Sequence, residues 1–485
     1  MSLLKRSTKS NQSSFCKIKE DFLLKIMYTP RGYQNKCHSD TMNYVNSKKR
    51  TKPALVVLPT GSGKSLNISL LSKDYTKGKI LNICPSEEIL RQNYQKFTDF
   101  GGEAKIYSAS MKSKEMGDVT FATLGSIKNM GEQFRDFGVT LLSIDEAHLN
   151  TDAKGGMFRK FLDELNPCHL IGYSATPFRL KSYSDPSGYK YSQLTMMNRS
   201  SPKFFSNIVH VTQIPDIVKQ GFWAPIEVYE EDFNPTGLIL NSTGGEYIEE
   251  TIKSVVKSNN VNNKMFLTTK KLLSNGVISI LLFLDTVENC YVMAKALGPK
   301  AAVVEAKTKK KDRPKIIADF KSGKINVICC VSTLTTGFDF PELQVVMMGR
   351  PTNSMAVFYQ IYGRLVRPFE NKLGLFYDFC GNIAKFGRME NIIIEDYKDH
   401  GWAVFSGDRL ITGCPMGEEP TTKQELDVME KLEFRVGNCP YFEFGAHKNK
   451  PLSEVPPHYK RWAMKEAKSN MSKTLYELCQ KEMTT

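Results

Sequence analysis

A glycine-rich loop directly after an apolar run constrains the fold of this chain more than any other feature. Residues 54–58 (A-L-V-V-L) lead into residues 59–65 (P-T-G-S-G-K-S). Glycines allow backbone N–H groups to close around a phosphate, and the N-terminus of a following helix adds its positive dipole end. A strand, this loop and a helix in succession therefore predict an α/β domain that binds a nucleotide.

Two side chains of the loop have expected roles. Lys64 is expected to reach the β and γ phosphates of ATP, and the Ser65 hydroxyl is expected to hold Mg²⁺. Pro59 stands where the strict pattern G-x-x-x-x-G-K-S/T has its first glycine. The alternative is a turn that happens to contain G-S-G-K-S. The preceding apolar run favours the phosphate loop.

Two adjacent acids at the end of another apolar run supply the partner of the loop. Residues 141–148 read L-L-S-I-D-E-A-H. Asp145 is expected to hold the metal through its water shell, and Glu146 is expected to orient and deprotonate the attacking water. Alone, the two acids could simply cap the next helix. Together with the phosphate loop they predict ATP hydrolysis.

Apolar runs alternate with helix-forming stretches twice along the chain. Runs that are buried on both faces and separated by helices predict parallel sheets. The strand candidates are residues 54–58, 80–84, 119–122, 141–144 and 170–173, followed by residues 278–283, 302–304, 325–329, 345–348 and 375–377. The fold class is therefore predicted to be α/β, with two domains in tandem.

The sequences G-S-G-K-S at residues 61–65 and D-E-A-H at residues 145–148 resemble those of a superfamily 2 helicase of the DEAH-box type. The resemblance implies two RecA-like domains, each a parallel sheet flanked by helices. It also implies ATP and Mg²⁺ as cofactors and a nucleic acid as the partner.

Further motifs of the first domain follow in the order of that family. Residues 31–34 (R-G-Y-Q) resemble its adenine-reading element. Residues 84–92 and residues 121–123 resemble its first and second strand-contacting motifs. Residues 174–177 (S-A-T-P) resemble the motif that reports hydrolysis to the nucleic-acid groove.

The second domain carries two more motifs. Residues 332–339 (S-T-L-T-T-G-F-D) resemble motif V, with hydroxyls for the phosphate backbone and an aspartate for the ATP ribose. Residues 360–367 (Q-I-Y-G-R-L-V-R) resemble motif VI, whose two arginines act as arginine fingers. A cation that arrives from another domain can be worth about 10³–10⁵ in the rate of phosphoryl transfer. The alternative for these arginines is a solvated helix face.

Two segments narrow the resemblance. Residues 377–383 (Y-D-F-C-G-N-I) and residues 217–225 (I-V-K-Q-G-F-W-A-P) are similar to the RadD-like and UvsW-like DNA helicases of bacteria and phages, which are repair and branch-migration motors. The RadD pattern continues into a cysteine-rich zinc module, which this sequence lacks. The resemblance to repair and branch-migration helicases implies branched or forked DNA as the substrate.

A small C-terminal domain resembles another family. Residues 444–462 are similar to the consensus F-G-K-H-K-G-K-P-L-x-x-V-P-x-x-Y-x-x-W, which occurs beside nucleases in phage and bacterial proteins. Its basic and aromatic side chains could bind DNA through backbone attraction and base stacking. The alternative is a structural cap whose aromatic rings form a small core.

The resemblances assign site residues to five groups. The catalytic residues are Lys64, Asp145, Glu146, Arg364 and Arg367. The ATP-binding residues are Arg31, Gln34, Pro59, Thr60, Gly61, Ser62, Gly63, Lys64, Ser65 and Asp339. The Mg²⁺ ligands are Ser65 and Asp145, and the coupling residues are His148, Ser174, Thr176 and Gln360. The DNA-binding residues are Pro85, Ser86, Gln92, Thr123, Thr335, Thr336, Lys448, Lys450, Tyr459 and Trp462.

Four segments are expected along the chain. Residues 1–24 form a flexible basic N-terminal segment, and residues 25–225 form the first RecA-like domain, with residues 178–222 as its connecting segment. Residues 226–395 form the second RecA-like domain, and residues 396–485 form a small C-terminal accessory domain. Within residues 181–197, two Tyr-rich arms flank D-P-S-G, which fits a plain inter-domain linker; the alternative is a protruding loop or hairpin beside the DNA entry.

Composition indicates which binding partners and which cell compartment to expect. The formal net charge is +15, from 66 Lys+Arg and 51 Asp+Glu, which suits a polyanion such as DNA. The alternative is a generally Lys-rich proteome. The 11 cysteines form no C-x-x-C pair, so no zinc site is expected. Without a signal peptide or a long apolar run, we expect a soluble protein in the cytoplasm of a bacterium or a phage-infected host, with no membrane partner.

The leading hypothesis is an ATP-dependent DNA helicase or branch-migration motor that acts in replication, recombination or repair as a monomer. Proteins of replication or recombination are candidate partners. The alternatives are a double-stranded DNA translocase that moves without separating strands, an RNA helicase, and a degenerate ATPase that serves as a scaffold. The complete set of chemical residues argues against the scaffold.

Overall fold

The protein is described from a computed structural model. The described residues are 29–149, 156–184, 190–199, 204–309, 311–331, 333–334, 338–397, 401–413, 442, 445–448, 450, 452, 455–466, 475–476 and 479–480. The predicted basic segment 1–24 lies outside these residues, as do Thr335 and Thr336 of the predicted motif V.

The first part of the chain builds a parallel sheet. Its strands are β1 Ala54–Val57, β2 Lys79–Cys84, β3 Lys105–Ser108, β4 Ser113–Lys114, β5 Val119–Thr123, β6 Val139–Ile144, β7 His169–Ser174 and β10 Asn207–Val211. Strands β8 Phe178–Ser184 and β9 Lys190–Met196 form a separate hairpin. The sheet order is β10-β1-β7-β6-β2-β5-β3-β4, and its pairs are parallel except β3 with β4. The carboxyl ends of the parallel strands therefore meet at one edge.

Helices cover both faces of this sheet. They are α1 Gly32–Ser47, α2 Lys64–Asp74, α3 Glu87–Asp99, α4 Leu124–Ile127, α5 Gly131–Asp136 and α6 Met157–Leu165. A further helix, α7 Ile214–Lys219, follows β10 and packs on the later part of the chain, at residues 389–396. In α6 the buried residues are Phe158, Phe161, Leu162 and Leu165, at the spacing of one helix face. These side chains belong to the core on one side of the sheet, and residues of α1, α2 and α3 belong to the core on the other.

A second parallel sheet follows. Its strands are β11 Ile226–Glu230, β12 Ile280–Phe283, β13 Ala301–Val303, β14 Val327–Cys330, β15 Val345–Met348 and β16 Gly374–Asp378, in the order β11-β16-β15-β12-β14-β13. Its helices are α8 Glu249–Ser258, α9 Val261–Ser274, α10 Val287–Leu297, α11 Asp312–Lys321, α12 Met355–Tyr362 and α13 Asn382–Phe386. The fold is thus two tandem RecA-like α/β units, as predicted.

All ten predicted apolar runs are strands, because a run that is buried on both faces leaves a strong signal in the sequence. The strands that the sequence does not predict include β3, β10 and β11, which are each only partly buried. None of them forms a continuous apolar run, so the pattern that identifies the buried strands does not mark them.

A hairpin and a small sheet complete the described fold. Strands β8 and β9 pair antiparallel from Phe178 with Met196 to Ser184 with Lys190, so this segment is a hairpin and not a plain linker; its tip, residues 185–189, lies outside the described residues. The hairpin packs on the second unit, where the Ser192 hydroxyl donates to the Gly244 carbonyl at 2.5 Å.

The C-terminal part begins with a three-stranded antiparallel sheet of β17 Ile392–Asp396, β18 Trp402–Ser406 and β19 Arg409–Leu410. The domain boundary predicted at residues 395 and 396 falls inside β17, whose buried isoleucines pack with the second unit. Helix α14, Pro457–Glu466, belongs to a separate small core.

No described helix is both long and apolar enough to cross a membrane. The described cysteines are free thiols, and most of them are buried.

Replacement of Gly172 by Ala tests the packing of β7. A Cβ atom at this position would lie 2.7 Å from Cζ of Phe205 and 2.8 Å from Cβ of Ala147, and Phe205 is fully buried. Overpacking of a core costs about 1–3 kcal/mol. We therefore expect Gly172→Ala to lower the free energy of unfolding by that amount in urea denaturation. Gly125→Ala, at a helical position where a Cβ meets no atom within 4 Å, is the matched control and should not lower the free energy of unfolding.

Candidate ATP site

The phosphate loop connects β1 to α2 at the carboxyl edge of the first sheet. Gly61 and Gly63 have φ angles of +77° and +90°, which L side chains rarely adopt. A Cβ on Gly63 would also lie 2.4 Å from Nε2 of Gln34. The loop shape therefore requires glycine at both positions, and the first-turn N–H groups of α2 are directed at the site of a phosphate.

The predicted adenine-reading segment holds this loop in place. Nε2 of Gln34 and the Tyr33 hydroxyl donate to the Ser62 carbonyl at 2.7 and 2.8 Å. Oε1 of Gln34 accepts from the Arg31 N–H at 2.8 Å, and Gln34 is 5% exposed. Both polar atoms of the Gln34 amide thus have a partner in the protein, and Gln34 supports the phosphate loop; its predicted contact with the adenine base stays a prediction.

The two acids lie directly after β6, close to the loop. Nζ of Lys64 donates to Oε1 of Glu146 at 2.5 Å. Asp145 accepts from the Glu146 N–H at 2.8 Å and from Nδ2 of Asn93 at 2.8 Å. Asn93 lies on the buried side of α3 and orients Asp145. Sequence reading missed Asn93, since a buried asparagine in a helix has no pattern of its own.

Electrostatics separates the roles of the two acids. Burial raises the pKa of Asp145, and the neighbouring charge of Glu146 raises it further, against Lys64 and Asn93. Burial also raises the pKa of Glu146, but Lys64, His148 and Arg364 outweigh it and leave the pKa lowered. Glu146 also has a positive φ of 47°, a strained conformation of the kind that occurs at functional sites. An ionised Glu146 is suited to act as a general base.

The predicted coupling residues lie in contact with one another. Nε2 of Gln360 is 3.4 Å from Nε2 of His148, and Nδ1 of His148 is 3.0 Å from the Ser174 hydroxyl. The Thr176 N–H donates to the same hydroxyl at 3.0 Å. Nδ1 of His148 also lies 3.4 Å from Oε2 of Glu146. This chain of contacts joins the ends of β6 and β7 to α12 of the second unit.

The two candidate arginine fingers lie just after α12. Nη1 of Arg364 donates to the Phe338 carbonyl, and Nε of Arg367 is 2.6 Å from Oδ1 of Asp339. Burial lowers the pKa of Arg364 to about 9, with a further contribution from Arg367, so the guanidinium is charged at neutral pH. Asp339, predicted to meet the ribose, thus pairs with Arg367 in this structure.

A cleft of about 850 Å³ brings these groups together. It is lined by residues of the phosphate loop, by both acids, and by the two arginines of the second unit. Its volume is that of an ordinary small-molecule site. Gln92, predicted to bind DNA, also lines this cleft. Arg31 lies with its guanidinium 4.0 Å from the ring centroid of Phe222.

The residues present fit a bound Mg²⁺. Ser65 and Asp145 line the same cleft, and the buried Asp145 carboxylate has a raised pKa that a nearby cation would lower. Ser65 and Asp145 would hold the ion, and when bound it neutralises charge on the phosphate oxygens of ATP.

The predicted DNA-binding residues of the first unit lie at the same edge as the cleft. Pro85 and Ser86 follow β2 and are exposed, and Ser86 caps α3 by accepting from the Ile89 N–H at 3.3 Å. Thr123 ends β5, where its hydroxyl is 2.9 Å from that of Ser126.

The C-terminal candidates differ in exposure. Tyr459 is 5% exposed and packs in a small core with Phe442, Leu452 and Val455. A ring that is buried in this way cannot stack on a base, so the predicted DNA contact of Tyr459 is wrong. Trp462 is 43% exposed, and Lys448 and Lys450 are exposed. These three residues stay candidates for DNA contact.

Replacement of Glu146 tests its role as the base. General-base catalysis is worth about 10²–10⁴ in rate, so Glu146→Gln should reduce ATP turnover by at least about 100-fold. The amide keeps the size of the side chain, so a fluorescent ATP analogue should still bind. Glu132→Gln, at an exposed position of α5, is the matched control. Near-normal phosphate release by Glu146→Gln would rule out this role.

The buried His148 predicts a loss of stability in acid. Burial lowers the pKa of His148 to about 4, although Glu146 opposes the shift. The unfolded chain has a histidine pKa of about 6.5, so between these values it binds more protons and stability falls as pH falls. Relative to pH 7.5, we expect a loss of about 2 kcal/mol at pH 5 from this group. Urea denaturation of His148→Asn should lack this part of the pH dependence; an identical dependence would contradict it.

Comparisons with known proteins agree with the geometry. Residues 27–179 match the family model of the type III restriction enzyme res subunit, and residues 263–368 match that of the helicase conserved C-terminal domain. A 51.5 kDa protein of a Lactococcus phage is 26% identical over 72% of this chain and 70% of its own length. The putative ATP-dependent helicase IRC3 of Saccharomyces cerevisiae is 23% identical over 70% of this chain.

The matched region spans 70% of the phage protein but only 50% of the yeast protein. Among solved structures, a fragment of a putative HsdR subunit of a type I restriction enzyme from Vibrio vulnificus has a TM-score of 0.53 at 23% identity, over 74% of this chain and 65% of its own. That likeness concerns the fold. The complete site between two RecA-like units, with both family matches in order, makes this chain an ATP-hydrolysing enzyme of the superfamily 2 helicases.

Proposed function

We propose that this enzyme uses ATP hydrolysis to move along DNA and to separate its strands at forks or junctions. The observation that carries the proposal is the division of the ATP site. Lys64 and Glu146 come from the first unit, and Arg364 and Arg367 come from the second. Binding and hydrolysis of ATP therefore act on the contact between two units, which is how such motors step along a strand.

Each side chain has a part in the proposed cycle. Lys64 binds the β and γ phosphates, and the arginines approach the γ phosphate as the cleft closes. Glu146 then takes the proton of the attacking water. The contact of His148 with Gln360 transmits the state of the site from β6 to α12.

Several observations support DNA as the track. The net charge of +15 favours a polyanion. Pro85, Ser86 and Thr123 are at the carboxyl ends of β2 and β5, beside the ATP cleft. ATP-dependent DNA helicase Hel308 of Pyrococcus horikoshii is a relative, at 23% identity over 66% of this chain. Proteins of replication or recombination are proposed as partners, and a phage-infected or bacterial cytoplasm as the location.

The hairpin β8–β9 is the proposed strand separator. Its second arm is fixed to the rest of the protein along its middle, since the Ser192 hydroxyl contacts Gly244 and the Leu194 carbonyl accepts from the Gly413 N–H at 2.9 Å. A hairpin that is held along its arm resists displacement when a duplex is pulled against it. We also propose that the motor consists of residues 25–225 and a second domain from residue 226 that includes β17–β19, followed by the accessory C-terminal module.

The second candidate function is translocation along double-stranded DNA without strand separation. The observation in its favour is the match of residues 27–179 to a restriction-enzyme motor subunit. Both functions need the same ATP site, so only the nucleic-acid products distinguish them.

A substrate panel tests the proposal. ATPase rate and strand separation are measured on single-stranded, duplex, forked and four-way-junction DNA and on RNA, with Glu146→Gln as the inactive control. We expect forks or junctions to stimulate hydrolysis most and to be unwound. Affinity should fall steeply with salt, because phosphate contacts release counterions. Stimulation by duplex without any unwinding would favour the second candidate, and preferential stimulation by RNA would contradict both.

A further inference from the structure

The segment that connects β10 to β11 passes beside the phosphate loop at Trp223. This side chain is 3% exposed, and its indole N–H donates to the Thr60 carbonyl at 3.1 Å. Thr60 belongs to the phosphate loop, so the connection between the two units is hydrogen-bonded to the loop that binds phosphate. A plain connecting segment has no need of a buried polar contact in that place.

The same segment is fixed to the second unit. The Ala224 N–H donates to the Val366 carbonyl at 2.8 Å, and Val366 lies between Arg364 and Arg367 in the sequence. A Cβ atom on Gly61 would lie 3.4 Å from Cγ2 of Val366. The phosphate loop and the arginine segment therefore pass close to each other beside Trp223, and a side chain at position 61 would fill the space between them.

Helix α12 contacts the other side of Thr60. Burial raises the pKa of the Tyr359 phenol, and a hydrogen bond from the Thr60 N–H lowers it in part. A Cβ atom on Gly363 would lie 2.7 Å from Cγ2 of Thr60, so the end of α12 packs closely on this residue. Both backbone groups of Thr60 thus meet side chains that lie outside the phosphate loop.

We propose that Trp223 and Tyr359 are positioning residues, which hold the backbone of Thr60 and thereby keep the phosphate loop in the shape that binds ATP and in register with Arg364 and Arg367. The loop is rich in glycine and would otherwise sample many conformations. Neither side chain lines the ATP cleft, so neither is proposed to touch the nucleotide. This inference rests on the ATP site and not on the identity of the nucleic acid.

Two aromatic substitutions test the inference. Tyr359→Phe removes only the hydroxyl, whereas Trp223→Phe removes the indole N–H together with part of the ring system; both keep an aromatic ring in the core. A lost hydrogen bond is worth about 0.5–1.5 kcal/mol, which corresponds to roughly a 2- to 12-fold change in an equilibrium constant. We expect the Kd of a fluorescent ATP analogue and the KM for ATP to rise by about that factor, while kcat at saturating ATP changes less.

Two control variants separate positioning from stability. Tyr362→Phe removes a buried hydroxyl of the same helix, which donates to Oε1 of Glu390 at 2.5 Å and not to the loop. Trp402→Phe removes an indole from β18, on the small C-terminal sheet. Both should leave the Kd of the nucleotide unchanged, even where the melting temperature falls.

The outcomes decide the proposal in each direction. Because Trp223 and Tyr359 act on one residue, the double variant should weaken binding by less than the product of the two single effects. An unchanged nucleotide Kd in both single variants, or an equal rise of Kd in Tyr362→Phe, would overturn the inference. If Trp223→Phe does not fold, Tyr359→Phe alone decides. Nucleotide binding is measured without DNA, so failure of the proposed DNA function leaves this result interpretable.

Discussion

The ion pair between Lys64 and Glu146 is the interaction on which the arrangement of the site depends. Its charges come from the start of α2 and from the residues after β6, and the two side chains are only 14% and 17% exposed. A buried charge is costly unless it is paired, so each residue stabilises the other at the carboxyl edge of the sheet. A phosphate of ATP would compete for the same ammonium group and would leave Glu146 free to act on water. The ion pair therefore links nucleotide binding to the release of Glu146 as the general base.

The second unit completes this site through a small number of contacts. Arg364 is close enough to lower the pKa of Glu146, and Gln360 contacts His148. Trp223 and Val366 extend the contact to the phosphate loop. Because these groups meet between the carboxyl edge of the first sheet and the segments that precede β11 and β16 of the second, a small change in the relative position of the units changes the electrostatics of hydrolysis. The same geometry allows hydrolysis to drive movement along a nucleic acid.

Sequence reading located what has a local pattern. The ten buried runs, the phosphate loop and the pair Asp145–Glu146 have such patterns, and the structure brings the loop and the acids into one cleft. Asn93 and Trp223 were not found, because a single buried polar contact between distant segments has no periodicity or spacing. The sequence also placed Tyr459 among DNA contacts, where packing with Phe442 buries its ring.

By itself, the sequence determined that this chain forms two α/β units with an ATP site, since strand burial and a glycine-rich loop are properties of short segments. Only the tertiary structure decided how the parts of that site support one another: Gln34 is engaged by the phosphate loop, Asp339 pairs with Arg367, and Trp223 reaches Thr60 across 163 residues. These pairings depend on which surfaces of the two units face each other. That choice is made by the burial of side chains far apart in sequence, so no local pattern encodes it.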